Sequence, residues 1–101
     1  EEFGILHIIV FSIIIFAMPV FEEYLFRGVL WKLVHFFSND RTAMILTSIA
    51  FACAHLEPLH ILGLLPLSLF LGWLRMKTGN VEASILAHMS NNLVACLLMV
   101  V

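Results

Sequence analysis

Charge is what this sequence lacks most. Of its 101 residues only 12% are charged, while 62% are hydrophobic. Soluble domains carry about 25% and 45–50%. A chain this short cannot bury so much apolar surface in water. Lipid is therefore the expected solvent, with a helical core cut from a larger soluble protein as the competing reading. Five Lys and Arg against seven Asp and Glu, a net charge of −2, leave no basic footprint for nucleic acid. Cysteine is also scarce. Cys53 and Cys96 lie in apolar runs, without metal-ligand spacing or a disulfide framework, and read as packing residues. The metalloprotease pattern H-E-x-x-H is missing. So are internal repeats, low-complexity linkers, hairpin signals, and the n-region and cleavage site of a signal peptide. The first residue is Glu rather than Met, so the expectation is a single domain over residues 1–101, excised from a longer membrane protein.

What is present is a set of long runs free of Lys, Arg, Asp and Glu: Phe3 to Phe21, Thr42 to Leu56, Pro58 to Leu74 and Ala83 to Val101. A helix crossing a ~30 Å hydrocarbon core needs about 17–25 residues, so the shorter runs must borrow flanking residues or be shielded by protein. The expected fold is all-α, a multi-pass transmembrane bundle of about four to five helices. The first begins near Phe3 and is kinked or divided at Pro19, because proline lacks a donor and crowds the preceding turn. Ser38 to Asp40 supplies N-cap residues for a helix ending near Leu56. Pro58 opens the next segment, which Pro66 splits into a surface piece and a spanning piece. Gly79 closes it, and Asn80 caps the last helix.

If the helices alternate in direction, Lys32, Arg41, Arg75 and Lys77 share one side of the membrane, while the turn "LEPLH" has no cation. The positive-inside rule makes that side cytoplasmic.

The few ionisable groups inside the runs need explanation, since each costs at least ~2.5–3.5 kcal/mol at depth. They form three clusters: Glu22, Glu23 and Arg27 in "FEEYLFRG"; His55 at the end of "FACAH"; and His88 with Asn92 in "HMSNN". Counted from the cytoplasmic helix ends at ~1.5 Å per residue, Glu23, His55, His88 and Asn92 lie about 21, 21, 12 and 18 Å deep. Three helices thus bring polar groups to overlapping depths, which points to one site.

Helical geometry divides the glutamates. Glu23 and Arg27, four residues apart, share a face in the favourable order for an ion pair. Glu22 is turned ~100° away, and a carboxylate without its own cation suits a general base. The plainer alternative is a clamp that only holds helices together. His88 and Asn92 share a face and could donate to the oxyanion of a tetrahedral intermediate, or simply join two helices. Glu22 with two histidines, His55 and His88, could instead hold a divalent ion such as zinc. Phe51 lies on the face of His55, which by itself reads as an interfacial histidine. His7, His35 and His60 read as residues of helix ends and turns.

"EEYLFR", "FACAH" and "HMSNN" resemble, in order and spacing, the E-E-x-x-x-R, F-x-x-x-H and H-x-x-x-N/B motifs of the CAAX-processing and bacteriocin-processing (CPBP or Abi) intramembrane proteases. The resemblance spans Glu22 to Asn92. It implies a multi-pass endopeptidase of the bacterial cell membrane acting near the cytoplasmic face. Its substrates would be prenylated CAAX C-termini, bacteriocin leader peptides or other membrane-associated polypeptides. On that resemblance Glu22 and His55 activate water, His88 and Asn92 stabilise the oxyanion, and Glu23, Arg27 and Phe51 support them. The family is commonly called metalloprotease, and a direct glutamate-and-histidine mechanism also fits these ligands. Two other readings use the same residues: a non-catalytic bacteriocin-immunity or interaction protein on this scaffold, and a proton or ion pathway. The partners implied are a peptide or lipidated-protein substrate and membrane lipid.

Overall fold

Four helices make up the computed structural model, which describes residues 4–55 and 58–100: α1 (Ile5–Phe37), α2 (Asp40–Cys53), α3 (Pro58–Thr78) and α4 (Glu82–Val100). The all-α expectation holds. The boundaries expected at Phe3 and Leu56 fall outside the described residues; α2 itself closes at Cys53.

Two prolines act differently from expectation. Pro19 does not divide α1, which runs through all 33 residues. Instead the helix widens to π-helical spacing over Ile13–Ala17, just upstream of it, and again over Tyr24–Leu30. Pro19 cannot donate to the carbonyl four residues back, and its ring crowds that carbonyl. A shift to i→i+5 bonding carries the ladder past the defect, and such bulges recur at functional sites. Pro66 likewise lies inside an unbroken α3. Neighbouring helices and serines in an apolar bundle re-satisfy what a proline frees.

The ends follow local chemistry. Asn39 Oδ1 accepts from Thr42 N–H at 2.8 Å, capping α2. Pro58 is the first residue of α3. Gly79 terminates α3 at φ +78°, a left-handed conformation that a residue without Cβ adopts freely, and donates to Arg75 O at 3.0 Å. The Asn80 amide turns back to donate to Thr78 O, so it closes this turn rather than reaching into α4.

Small and hydroxylated residues fill the helix interfaces, as expected where van der Waals contact and polar links replace the hydrophobic effect. Ser68 Oγ donates to Ser48 O at 2.9 Å and Ser48 Oγ returns a bond to Ser68 O at 3.1 Å, tying α2 to α3. Ser84 Oγ donates to Leu71 O at 2.8 Å, tying α4 to α3. Large apolar side chains mostly point outward: Ile5, Leu6, Phe21, Val29, Leu62 and Leu98 are all more than half exposed. Cys53 is among the outward residues, so its expected packing role does not hold.

α1 and α3 are long and apolar enough to cross a membrane, and only 11% and 17% of their most apolar windows are buried. That is the reverse of the core helix of a soluble protein. α1 would be about 50 Å long, matching the 52 Å long axis of the molecule and exceeding a ~30 Å hydrocarbon core.

α2 and α3 approach closely at Gly72, where a Cβ would stand 2.8 Å from Ser48 Oγ and 3.0 Å from Met44 Cγ. Ser48 Oγ cannot yield without losing its bond to Ser68. Gly72→Ala is therefore expected to lower stability by ~1–3 kcal/mol, despite the helix-propensity gain of about 1 kcal/mol. Gly63→Ala, where nothing lies within 4 Å, should be neutral or stabilising. Thermal unfolding of the two variants in one detergent checks both.

Candidate active site

Arg27 is the centre from which the site is built. Its side chain is completely buried, as is that of Glu23. Nη1 donates to Glu23 Oε2 at 3.2 Å, the pair that their spacing on α1 anticipates. Nη2 donates to both the carbonyl and the hydroxyl of Ser68 on α3, the latter at 2.8 Å. The guanidinium lies over the Phe51 ring of α2, 4.8 Å from its centroid. One side chain of α1 thus grips both α2 and α3. A guanidinium can do this because its fork of donors and its flat face act in different directions. Ser68 had little sequence signal beyond being a hydroxyl within an apolar run.

Phe51, 1% exposed, is the second hub. Its ring meets Phe26, His55 and His88 edge-on at centroid distances of 5.3, 5.2 and 5.5 Å. It thus touches the buried cation and both imidazoles.

His88 of α4 stands between both glutamates of α1. Nδ1 lies 2.8 Å from Glu23 Oε2 and Nε2 lies 3.6 Å from Glu22 Oε1. An ionised Glu23 would accept from Nδ1, and this contact sets the ring's orientation. Glu23 is therefore bound to both Arg27 and His88 through one oxygen. Its Oε1 is buried without a hydrogen-bond partner among the described residues. Glu22 is one quarter exposed and has His88 Nε2 as its neighbour. The two carboxylates thus point apart: Glu23 is buried against Arg27 and His88, and Glu22 borders open space.

That space is a cleft of about 400 Å³. Glu22 of α1, His88 and Asn92 of α4, and His55 in the turn after α2 all line it. Asn91 and His60 do too. His60, read as a turn residue, is thus placed on the wall, and Asn91 was missed although it stands beside Asn92 in "HMSNN". Ile14, Met18, Leu64 and Leu67 supply an apolar part of the lining. His55 is oriented by its own helix, with Nδ1 3.0 Å from Phe51 O. Asn92 Nδ2 donates to Ile14 O at 3.1 Å, in the π-helical stretch of α1. One amide hydrogen is spent on that carbonyl and one remains. Of the other histidines, His35 pairs with Asp40 at 3.1 Å at the far end of α1, and His7 lies exposed near its beginning.

A family model described as type II CAAX prenyl endopeptidase, Rce1-like, matches residues 4–94 and so takes in every residue of this cleft. The chain belongs to that family. No curated protein and no solved structure gives a match. The family is one of intramembrane proteases, in keeping with the two membrane-length helices.

The metal set read from the sequence, Glu22, His55 and His88, can be tested against the donors. Among the described residues no three His, Cys, Asp or Glu side chains gather closely enough to hold an ion. Both Nδ1 atoms are occupied, that of His88 by Glu23 and that of His55 by Phe51 O. Glu22 and His88 alone stand together. The three residues share a cleft but do not form a closed ligand set in this conformation.

The multiple bonds of Arg27 give a direct expectation. Arg27→Lys keeps the charge but cannot reach Glu23 and both Ser68 oxygens while lying over Phe51. Thermal unfolding should show a clear loss for Arg27→Lys. Arg27→Met, which takes the guanidinium from buried Glu23 and leaves it only His88, should cost about 3–5 kcal/mol.

Proposed function

We propose that this chain is the catalytic core of an intramembrane endopeptidase that hydrolyses peptide bonds with water activated by Glu22. The observation that carries the reading is the pairing of Glu22 with an oriented His88 on the wall of a cleft that also exposes His55 and Asn92.

The steps follow from the groups present. Glu22 accepts a proton from water as its oxygen attacks the scissile carbonyl carbon, with the distal nitrogen of His55 as a second contact for that water. The carbonyl oxygen becomes an oxyanion. The remaining amide hydrogen of Asn92 can donate to it. His88 donates from Nε2 only as the doubly protonated ring, because its other proton is directed to Glu23. Collapse of the intermediate breaks the C–N bond, and Glu22 returns its proton to the leaving amine. Glu23, Arg27 and Phe51 touch no reacting atom. They hold His88 and the helices that carry the rest.

The substrate is a membrane-associated polypeptide, such as a prenylated CAAX C-terminus or a bacteriocin leader. The apolar stretch of Ile14, Met18, Leu64 and Leu67 suits a lipidated or hydrophobic segment beside the polar wall. Lys32 and Arg75 line a common cavity, which supports the reading that this end of the bundle faces the cytoplasm.

Glu22→Gln is the decisive substitution. Glu22 is partly exposed and, among the described residues, has no bond beyond its approach to His88. The variant should therefore insert and unfold like the parent while peptide cleavage falls at least about a hundredfold, the lower range for loss of a general base. Cleavage at the parental rate by a folded Glu22→Gln protein would reject the assignment.

A further inference from the structure

At the end of α1 remote from the cleft lies a second cavity, of about 350 Å³, lined by Trp31, Lys32, His35, Phe36, Asp40 and Arg75, with Gly79 at its edge. It adjoins a further open space bordered by Arg41. Its charges do not cancel. Asp40, whose Oδ1 lies 3.1 Å from His35 Nε2, also acts electrostatically on Arg75. Against that carboxylate stand two cations of the wall, Lys32 and Arg75, with Arg41 on the adjoining space, so positive charge is in excess.

Arg75 is held in a specific way. Nε donates to Arg27 O at 2.9 Å, and the guanidinium lies over the Trp31 ring at 4.9 Å. One edge and one face are therefore used, and the two Nη groups make no hydrogen bond among the described residues. Planar, fixed donors of this kind are suited to a phosphate. Lys32, exposed on the same wall, adds a mobile point charge. On the outer surface of α1 the exposed side chains Val29, Leu33 and Phe36 form an apolar stripe at helical spacing that ends at this cavity. Fixed phosphate donors, a second cation and an apolar stripe are the complement of one amphiphile. Basic pockets between helices on the cytoplasmic side are where anionic headgroups bind.

We infer that this cavity binds the phosphate of an anionic membrane phospholipid, whose acyl chains lie along Val29, Leu33 and Phe36. The inference rests on the membrane orientation proposed above and not on the proteolytic chemistry. Because Arg75 also bonds the carbonyl of Arg27, a bound phosphate would steady the residue that organises the active site.

The test uses the protein in lipid nanodiscs containing phosphatidylcholine and phosphatidylglycerol, with the lipids it retains counted by native mass spectrometry. Phosphatidylglycerol should be retained in preference. Lys32→Gln should reduce that preference about fivefold, the effect of one basic residue near an anionic surface. Arg75→Gln should reduce it further. Lys77→Gln, whose side chain is outside the cavity wall, should leave it unchanged. Should Arg75→Gln fail to fold, Lys32→Gln suffices, since Lys32 is exposed and makes no hydrogen bond or ion pair among the described residues. Equal retention of the two lipids, an unaltered preference in Lys32→Gln, or the same loss in Lys77→Gln would overturn the inference. So would thermal stabilisation by inorganic phosphate in phosphatidylcholine alone that matches phosphatidylglycerol, which would indicate a free-anion site. None of these readouts depends on peptide cleavage.

Discussion

A fully buried guanidinium is the constraint on which the rest of this structure depends. An unpaired buried cation would be prohibitive, so Arg27 draws on partners in several directions, although its Nε has no hydrogen-bond partner among the described residues. Glu23 supplies the charge, Ser68 two oxygens and Phe51 a face. Because these partners come from three helices, satisfying one side chain fixes how α1, α2 and α3 meet. The reciprocal bonds of Ser48 and Ser68 and the bare surface of Gly72 then let α2 and α3 approach closely enough for that geometry.

The chemistry inherits its order from this lock. Glu23, held by Arg27, receives Nδ1 of His88 and so orients the ring whose other nitrogen faces Glu22. The chain of contacts runs from a structural ion pair to an exposed carboxylate in four residues. The π-helical stretches of α1 take part as well. One lies next to Pro19 and offers the Ile14 carbonyl to Asn92, and the other begins just after Glu23 and carries Arg27. Irregular backbone in α1 is therefore concentrated where α1 meets the site.

Much of this was legible in the sequence because charge is so sparse. In a chain with few ionisable residues, "FEEYLFRG", His55 and "HMSNN" stand out, and helical spacing alone separates Glu22 from Glu23. The helix caps at Asn39 and Gly79 were readable for the same local reasons. What was not legible depends on tertiary context. Pro19 and Pro66 carry strong local signals for a break, but packing kept both helices continuous. The role of His88 was read as an oxyanion donor paired with Asn92. The bond to Glu23 joins residues 65 positions apart, and no local pattern encodes it. Nor does any pattern mark Ser68 as the acceptor for Arg27, or His60 as part of the cleft wall.

The central claim is that Glu23, anchored by Arg27, sets the orientation of His88 toward Glu22. The most direct measurement is the ¹⁵N NMR spectrum of the His88 ring in the membrane-reconstituted protein at neutral pH. The account predicts a protonated, hydrogen-bonded Nδ1 whose resonance moves on Glu23→Gln, and an Nε2 resonance that moves on Glu22→Gln. A ring protonated only at Nε2, with shifts indifferent to both substitutions, would contradict it.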